Sequence, residues 1–331
     1  MSSPLPVRVR PGPAELFRLG PGGSAWTYVD WIDEDGDGLV LIAAHGLPFL
    51  PGYASAARSG RPEDPLAHPA VVLSTIRGGR PDFYAFHRGF GPDRVWAVLG
   101  DGRLSLRADL RGTLPGCDWE ARIEIDGVLR VPSADEPASA DHEWTVLTVG
   151  ARAEAEIRVN GQVGRLAGRA YVDRNLCTGP LEAAGLRDWH WGRAALPDGD
   201  VVWYGTSDGV GSAIRLAADG TTTDLGPVRT SGVRSGRWGL ARPAVVHLPG
   251  LDLPLDRPVD DGPFYTRVLL RDGERSVGFA EACRVDRIDG DWMRPLVRMA
   301  VADPAGSSRW LPLFSGPRAG RLGRLLRSVS W

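Results

Sequence analysis

The chain has 331 residues, of which 43% are hydrophobic, and its 39 lysines and arginines nearly balance its 41 aspartates and glutamates. This length supports one large domain or two ordinary domains with buried cores. The formal net charge of −2, without a basic domain or a Lys/Arg-rich core motif, argues against nucleic-acid binding. The three cysteines are widely spaced, so we expect a reducing compartment and no disulfide framework.

Neither a metal site nor a membrane span is expected. The six histidines lie far apart, and the chain contains neither an HxxxH nor a CxxC pair, which argues against a structural zinc. The N-terminal stretch MSSPLPVRVRPGP lacks the apolar core of a signal peptide. No run of about 18 apolar residues occurs. We therefore expect a cytoplasmic protein.

Short alternating runs of apolar and polar residues, separated by glycine and proline, extend along most of the chain. WTYVDWI at 26–32 and LVLIAAHG at 39–46 are early examples and predict β-strands. VLLRDGERSVGF at 268–279 is typical of a β-hairpin. Many short strands with few helical stretches indicate an all-β fold made of antiparallel sandwiches or barrels.

Two early segments need separate interpretation. DEDGDG at 33–38 resembles the first half of a calcium loop, but the twelfth position, where an EF-hand requires Glu, is Ala44. The flanking segments are predicted strands, so we predict a hairpin turn with solvated acids. PGYASAARSGR at 51–61 is a candidate for a short helix.

The strand-rich halves favour two β-domains, and the least patterned region lies near residues 180 to 200. We place an N-terminal domain at 20–190, a C-terminal domain at 191–316 and a basic amphipathic tail at 317–331. Such a tail can lie on an anionic membrane surface, which would make the protein membrane-associated. A helix that caps a barrel mouth, or a frayed end, is the favoured alternative, because Gly320 and Gly323 weaken the helix.

Three pairs of residues combine ionisable or aromatic side chains, and the two members of each pair lie two positions apart in the sequence. Side chains alternate along a strand, so each pair shares one face. If these faces border one cavity, its wall holds a carboxyl group, an imidazole, a phenol and several indoles. The pairs are Tyr171 and Asp173, His142 and Trp144, and Trp189 and Trp191.

An aspartate in such a wall would be poorly solvated, so its pKa would rise. A carboxyl group with a raised pKa can deliver a proton near neutral pH, and aromatic faces can stabilise the resulting cation. This combination suits protonation of an electron-rich alkene. The alternative is structural, because buried Trp and Tyr usually pack cores and an Asp beside an Arg, here Arg174, is usually a surface ion pair or part of a turn.

Several motifs, in their order and spacing, resemble the family of carotenoid 1,2-hydratases (hydroxyneurosporene synthases) and its lipocalin-like relatives. The likeness extends over roughly residues 23 to 302. YVDRN at 171–175 resembles the Tyr-His-Asp-His-Asn pattern of that family. The other matching segments are the strand WTYVD, HEW at 142–144, DWHWGR at 188–193 and GPFYTR at 262–267.

The resemblance implies two lipocalin-like antiparallel β-barrel or sandwich domains with an apolar pocket. It implies that Asp173 protonates a C=C bond of a lipophilic isoprenoid or carotenoid, with Tyr171 and His142 as further catalytic residues. It implies neither a metal nor an organic cofactor. The substrate-binding residues that it implies are Trp144, Asn175, Trp189, Trp191 and Tyr265.

The chain departs from the family pattern at Val172 and Arg174, which replace two histidines. Both positions face away from Asp173 on a strand, so the pocket face can persist while its support changes. Three functions stay open. The first is a hydratase-like lyase in which water or an internal alkene captures the cation. The second is a cofactor-free cyclase that folds a polyene or polyketide, and the third is a non-catalytic carrier. The hydratase is favoured because a carrier has no need of the acid.

Overall fold

The structure is a computed structural model. It describes residues 19–50, 52–88, 95–100, 102–114, 117–130, 142–205, 211–217, 221–236, 238–288, 298–302 and 308–312. Within these ranges the chain is almost entirely β-structure, and its strands form two curled sheets. The predicted all-β, lipocalin-like antiparallel fold is therefore confirmed, and the curled sheets form half-barrels. The predicted tail at 317–331 lies outside the described residues.

The first sheet has 11 strands in the order β20-β19-β4-β3-β2-β1-β9-β8-β7-β6-β5. Neighbouring strands are antiparallel except β19 and β4, which pair in parallel. The strands are β1 (Ser24–Ile32), β2 (Gly38–His45), β3 (Pro69–Arg77), β4 (Arg80–Arg88), β5 (Val95–Gly100), β6 (Arg103–Leu114), β7 (Cys117–Val128), β8 (His142–Val159), β9 (Gln162–Cys177), β19 (Arg298–Ala302) and β20 (Ser308–Pro312).

The second sheet has nine antiparallel strands in the order β13-β12-β11-β10-β18-β17-β16-β15-β14. It is inserted in the sequence between two parts of the first sheet, and its first strand in sequence begins at Asp188. The predicted domain division between residues 190 and 191 stays a prediction. The strands are β10 (Asp188–Leu196), β11 (Gly199–Gly205), β12 (Gly211–Leu216), β13 (Thr222–Pro227), β14 (Arg229–Ser235), β15 (Ala241–Leu248), β16 (Leu251–Asp261), β17 (Tyr265–Asp272) and β18 (Arg275–Arg284).

Alternation of apolar and polar residues explains why these segments become strands. Along β8, Ala151, Ala153 and Ala155 are buried, whereas Arg152 and Glu154 between them are exposed. One face of the strand thus joins a core while the other meets solvent, which is the pattern of an antiparallel sheet. The same period of two places side chains of β8 and β9 on the inter-sheet face described below.

The local predictions for the turns and the helix are also confirmed. The segment 33–38 connects β1 to β2 as a hairpin turn, although the carboxylate of Asp37 is paired with Arg77 at 2.7 Å rather than fully solvated. The helix α1 covers Tyr53–Arg58. The predicted hairpin joins β17 to β18 through a tight turn, in which Gly273 adopts a φ of 60° that glycine tolerates best.

Two apolar clusters place the candidate site. One is enclosed by the first sheet and includes Trp31 and Val172. The other lies between the sheets and combines Tyr171 of the first sheet with Trp191 and Phe279 of the second. The two sheets therefore pack against each other through an aromatic layer. Within the described residues, no helix is long and apolar enough to cross a membrane.

Candidate active site

A pocket opens between the two sheets, next to the aromatic layer. It contains about 690 Å³ of empty space, which includes the space at its open mouth. Ligand pockets of proteins are lined mostly by apolar and aromatic side chains with a few polar groups. The predicted site residues that line it are His142, Trp144, Asp173, Asn175, Trp189, Trp191 and Tyr265.

Strand pairing explains why these residues meet. β8 and β9 are antiparallel, with Val146 opposite Asp173 and Trp144 opposite Asn175. On the other side of β9, β1 pairs so that Tyr28 lies opposite Asp173. The first sheet therefore supplies the polar wall of the pocket. The second sheet supplies the opposite wall through β10, β17 and β18.

Asp173 lies at the centre of the polar wall with only 2% of its surface exposed. Its Oδ2 atom accepts hydrogen bonds from Trp144 Nε1 at 2.8 Å and from the Tyr171 hydroxyl at 2.9 Å. Its Oδ1 atom accepts a hydrogen bond from Asn175 Nδ2 at 3.0 Å. The alternative of a surface ion pair or a turn is therefore wrong for Asp173, because the side chain is buried within β9.

Burial raises the pKa of Asp173 from its ordinary value of 3.8 to about 8. The hydrogen bonds from Trp144 and Tyr171 oppose this rise because they stabilise the carboxylate, whereas the nearby carboxylates Asp30 and Glu281 add to it. A group with this pKa carries its proton at neutral pH. Asp173 is thus a buried carboxyl group with a raised pKa that accepts hydrogen bonds from three neutral donors.

Tyr171 does not line the pocket but lies directly behind Asp173. It is fully buried, and its hydroxyl donates to the carboxyl group. The centroid of its ring lies 5.7 Å from the ring centroid of Trp191. The guanidinium carbon of Arg193 lies over the ring, 5.6 Å from its centroid. Tyr171 therefore contacts the Asp173 carboxyl group from behind and is not exposed in the pocket.

His142 reaches Asp173 only through Asn175. Its Nε2 atom lies 3.3 Å from Asn175 Oδ1, and the amide nitrogen of Asn175 donates to Asp173. Burial lowers the pKa of His142, so the ring is neutral at pH 7 and donates from Nε2 to the amide oxygen. The imidazole therefore fixes the orientation of the Asn175 amide.

A second buried carboxyl group, Glu281, enters the pocket from β18. Its Oε1 atom accepts hydrogen bonds from the Tyr28 hydroxyl at 3.0 Å and from Arg267 Nε at 2.8 Å. Arg267 in turn pairs with Asp260 at 2.5 Å. Sequence reasoning assigned no role to Glu281 or Tyr28. The available indications were an acid within the apolar run GFAEAC and a second aromatic residue two positions after Trp26.

Another buried ion cluster supports the site where the sheets meet. Arg193 of β10 donates to Asp200 Oδ2 at 2.6 Å and also to Asp30 of β1. Arg193 and Asp30 are almost completely buried. Because burial of an unpaired charge is costly, these mutual ion pairs tie the two sheets together beneath Tyr171.

Comparison with known proteins identifies the family. The family model described as carotenoid hydratase CrtC matches residues 102–309, which is more than half of the chain. The chain belongs to this carotenoid hydratase family. The resemblance noted from the sequence motifs is thereby confirmed.

Two acyclic carotenoid 1,2-hydratases are similar to this chain in sequence. The acyclic carotenoid 1,2-hydratase of Thiocapsa roseopersicina is 28% identical over 299 residues, covering 83% of this chain and 72% of the relative. The enzyme of the same name from Rubrivivax gelatinosus is 28% identical over 279 residues. This match covers 76% of this chain and 66% of the relative, so the chain spans just under two thirds of the Rubrivivax enzyme.

Two solved structures share the fold. A Nitrosomonas europaea protein described as an AttH superposes with a TM-score of 0.53 at 13% identity, covering 86% of this chain and 99% of its own. CghA, crystallised with Sch210972, superposes with a TM-score of 0.51 at 12% identity. The match covers 88% of this chain and 97% of CghA. These similarities establish a common architecture for the carotenoid hydratase family member and both proteins.

The departures from the carotenoid hydratase pattern lie outside the pocket. Val172 is completely buried in the cluster enclosed by the first sheet, on the opposite face from Tyr171 and Asp173. Arg174 is the second departure, and it is not among the residues that line the pocket. The motif therefore keeps its carboxyl group and amide in the pocket wall, and its phenol behind them.

Proposed function

We propose that this protein is a hydratase that adds water across a C=C bond of a lipophilic isoprenoid, with Asp173 as the proton donor. The observation that carries the proposal is a buried carboxyl group in the wall of an aromatic pocket, where burial raises the pKa of Asp173 to about 8. Membership of the carotenoid hydratase family and the names of the relatives support an acyclic carotenoid as the substrate class.

The hydrogen bonds indicate which oxygen of Asp173 carries the proton. Oδ2 accepts two hydrogen bonds, from Trp144 and Tyr171, whereas Oδ1 accepts one. The proton therefore lies on Oδ1. Transfer of this proton to the less substituted carbon of a terminal C=C bond leaves a tertiary cation on its neighbour. The carboxylate that remains is stabilised by three donors that are already in place.

The pocket also suits the cation. Tyr28 and Trp191 lie with their ring centroids 5.0 Å apart at 67°, and Trp144 stacks on Tyr204 at 6.4 Å. Faces of such rings attract a positive charge, most strongly where water is excluded. Addition of water to the tertiary carbon and loss of one proton give a tertiary alcohol. The net reaction consumes only alkene and water.

The test is conversion of an acyclic carotenoid in D₂O by the wild type and by Asp173→Asn, with products analysed by mass spectrometry. We expect an alcohol with one deuterium on the carbon next to the carbinol. Asp173→Asn should lose hydration by at least about a thousandfold. The matched control is Asp109→Asn, which removes an exposed carboxyl group on β6 and should retain full turnover.

Three results would reject the proposal. Full activity of Asp173→Asn would remove the acid from the mechanism. A product isomeric with the substrate and free of deuterium would identify a cyclase. Tight binding of a carotenoid that is recovered unchanged and without deuterium would identify a carrier.

A further inference from the structure

We infer that Glu281 is a second catalytic residue, the base that binds the attacking water and removes its proton. This inference rests on the proposed hydratase function. It assigns the two halves of the addition to two carboxyl groups on different sheets, the acid on β9 and the base on β18.

The first argument is placement. Asp173 and Glu281 both line the pocket, one from each sheet. Tyr28 lies opposite Asp173 in the strand pairing and extends its hydroxyl to Glu281 at 3.0 Å. Tyr28 therefore neighbours the acid in the first sheet and hydrogen-bonds the carboxyl group of the second sheet. A planar alkene bound between the sheets would meet the acid on one side and Glu281 on the other.

The second argument is charge. Asp173 is surrounded by neutral donors, whereas Glu281 forms an ion pair with the buried guanidinium of Arg267 at 2.8 Å. An arginine at this distance forms a charge-assisted hydrogen bond with the carboxyl group. Two carboxyl groups in one site thus differ in their environments, which is the pattern that separates an acid from a base.

The third argument is the hydrogen-bond geometry at Glu281. The donors from Tyr28 and Arg267 both reach Oε1. Oε2 receives neither of these two hydrogen bonds, and it is the oxygen that we assign to the water molecule. Glu281 keeps 9% of its surface exposed, whereas Arg267, its partner on β17, keeps 3%. This difference is consistent with access to Glu281 from the pocket.

The step balances as follows. The alkene takes the proton of Asp173, and the lone pair of the water oxygen forms the new C–O bond to the tertiary carbon. One O–H bond of that water then breaks, and its proton goes to Glu281 Oε2. Asp173 has lost one proton and Glu281 has gained one, so exchange with solvent at the open mouth resets both groups after the alcohol leaves.

Glu281→Gln tests the assignment, because glutamine keeps the size and the acceptor for Tyr28 and Arg267 but cannot take a proton. We expect hydration of an acyclic carotenoid to fall by at least about 100-fold. Protonation by Asp173 should continue in the variant. In D₂O the cation would then lose a proton again, so the recovered alkene should accumulate deuterium without forming alcohol.

A residue that only supports the fold would not separate these two readouts. Hydration within tenfold of the wild type, or loss of deuterium exchange together with hydration, would overturn the role of Glu281. Asp173→Asn, measured in parallel, should lose both reactions. If Asp173→Asn instead retains both, the proposed acid fails independently of the result at Glu281.

Two further variants complete the test. Tyr28→Phe removes only the hydroxyl that spans to Glu281 and should lower hydration by about tenfold while exchange persists, as for loss of one hydrogen bond. Unchanged hydration in Tyr28→Phe would contradict the assignment even if Glu281→Gln fails to fold. Glu120→Gln alters an exposed glutamate on β7 and should leave both reactions unchanged.

Discussion

Asp173→Asn should stabilise the protein at neutral pH although it removes the proposed catalytic acid. The folded state raises the pKa of Asp173 from 3.8 to about 8. Between these values the folded protein holds a proton that the unfolded chain releases. The contribution of Asp173 to the free energy of unfolding is therefore fully present below about pH 4. It falls as pH rises toward 8 and then levels off. Asparagine has no such proton.

The magnitude follows from linkage. Each pH unit between the two pKa values lowers the free energy of unfolding of the wild type by about 1.4 kcal/mol relative to the variant. From pH 5 to pH 7 the difference between variant and wild type should grow by about 3 kcal/mol. By pH 7 the cost of keeping Asp173 protonated amounts to about 4 kcal/mol.

Asparagine does not recover all of this energy. Its amide oxygen can accept from Trp144 and Tyr171, but its NH₂ group would face the Asn175 Nδ2 atom, which now donates to Asp173. One unsatisfied buried donor costs about 1–3 kcal/mol. The expected net stabilisation at pH 7 is therefore about 1–3 kcal/mol. The cost of the unsatisfied donor does not change with pH, because no group titrates in it. The pH dependence of the difference in free energy of unfolding is therefore unaffected by this cost.

The assay is urea unfolding followed by tryptophan fluorescence at pH 5, 6, 7 and 8 for the wild type and Asp173→Asn. Taking the difference between the two proteins cancels the titration of the other groups. Asp109→Asn serves as the control and should give a difference that is flat with pH. A flat difference for Asp173→Asn would refute the reasoning, since it would mean that Asp173 already ionises normally in the folded state.

Two further variants, and a control for the second, have defined outcomes. Tyr171→Phe removes a hydrogen bond that lowers the pKa of Asp173, so the alkaline limb of the kcat–pH profile should move to higher pH, and a shift to lower pH would contradict this role. In Gly192→Ala the added methyl group would overlap the Trp203 indole, so urea unfolding should show a loss of about 1–3 kcal/mol. Gly179→Ala, where nothing lies within 4 Å of the added carbon, should stay within about 0.5 kcal/mol, and equal losses in the two glycine variants would exclude the steric explanation.

Much of the fold could be predicted because antiparallel sheets have a simple sequence pattern. Alternation with a period of two gave the all-β class, the hairpin ending at β18 and the shared face of Tyr171 and Asp173. The same rule placed Val172 on the opposite face, where the structure has it. These inferences need only local geometry, since the direction of a side chain on a strand depends on its neighbours in sequence.

The parts of the site that local patterns could not give depend on distant pairing. Tyr28 and Glu281 are 253 positions apart, and nothing near either residue indicates the other. The shared strand face predicted that Tyr171 and Asp173 point the same way, but not that Tyr171 lies behind Asp173. Arg193 and Trp191 of the second sheet pack on the Tyr171 ring and separate it from the pocket. The catalytic roles of the predicted residues stay predictions for the variants above.

The parallel pairing of β19 with β4 has a consequence for synthesis of the chain. Val301 lies beside Phe86, so the outer edge of β4 has no β19 to pair with until more than 200 further residues have been added. An open strand edge is a template for association with other chains. A nascent or truncated chain that stops before residue 298 should therefore aggregate more readily than the full chain, however well its pocket residues are already arranged.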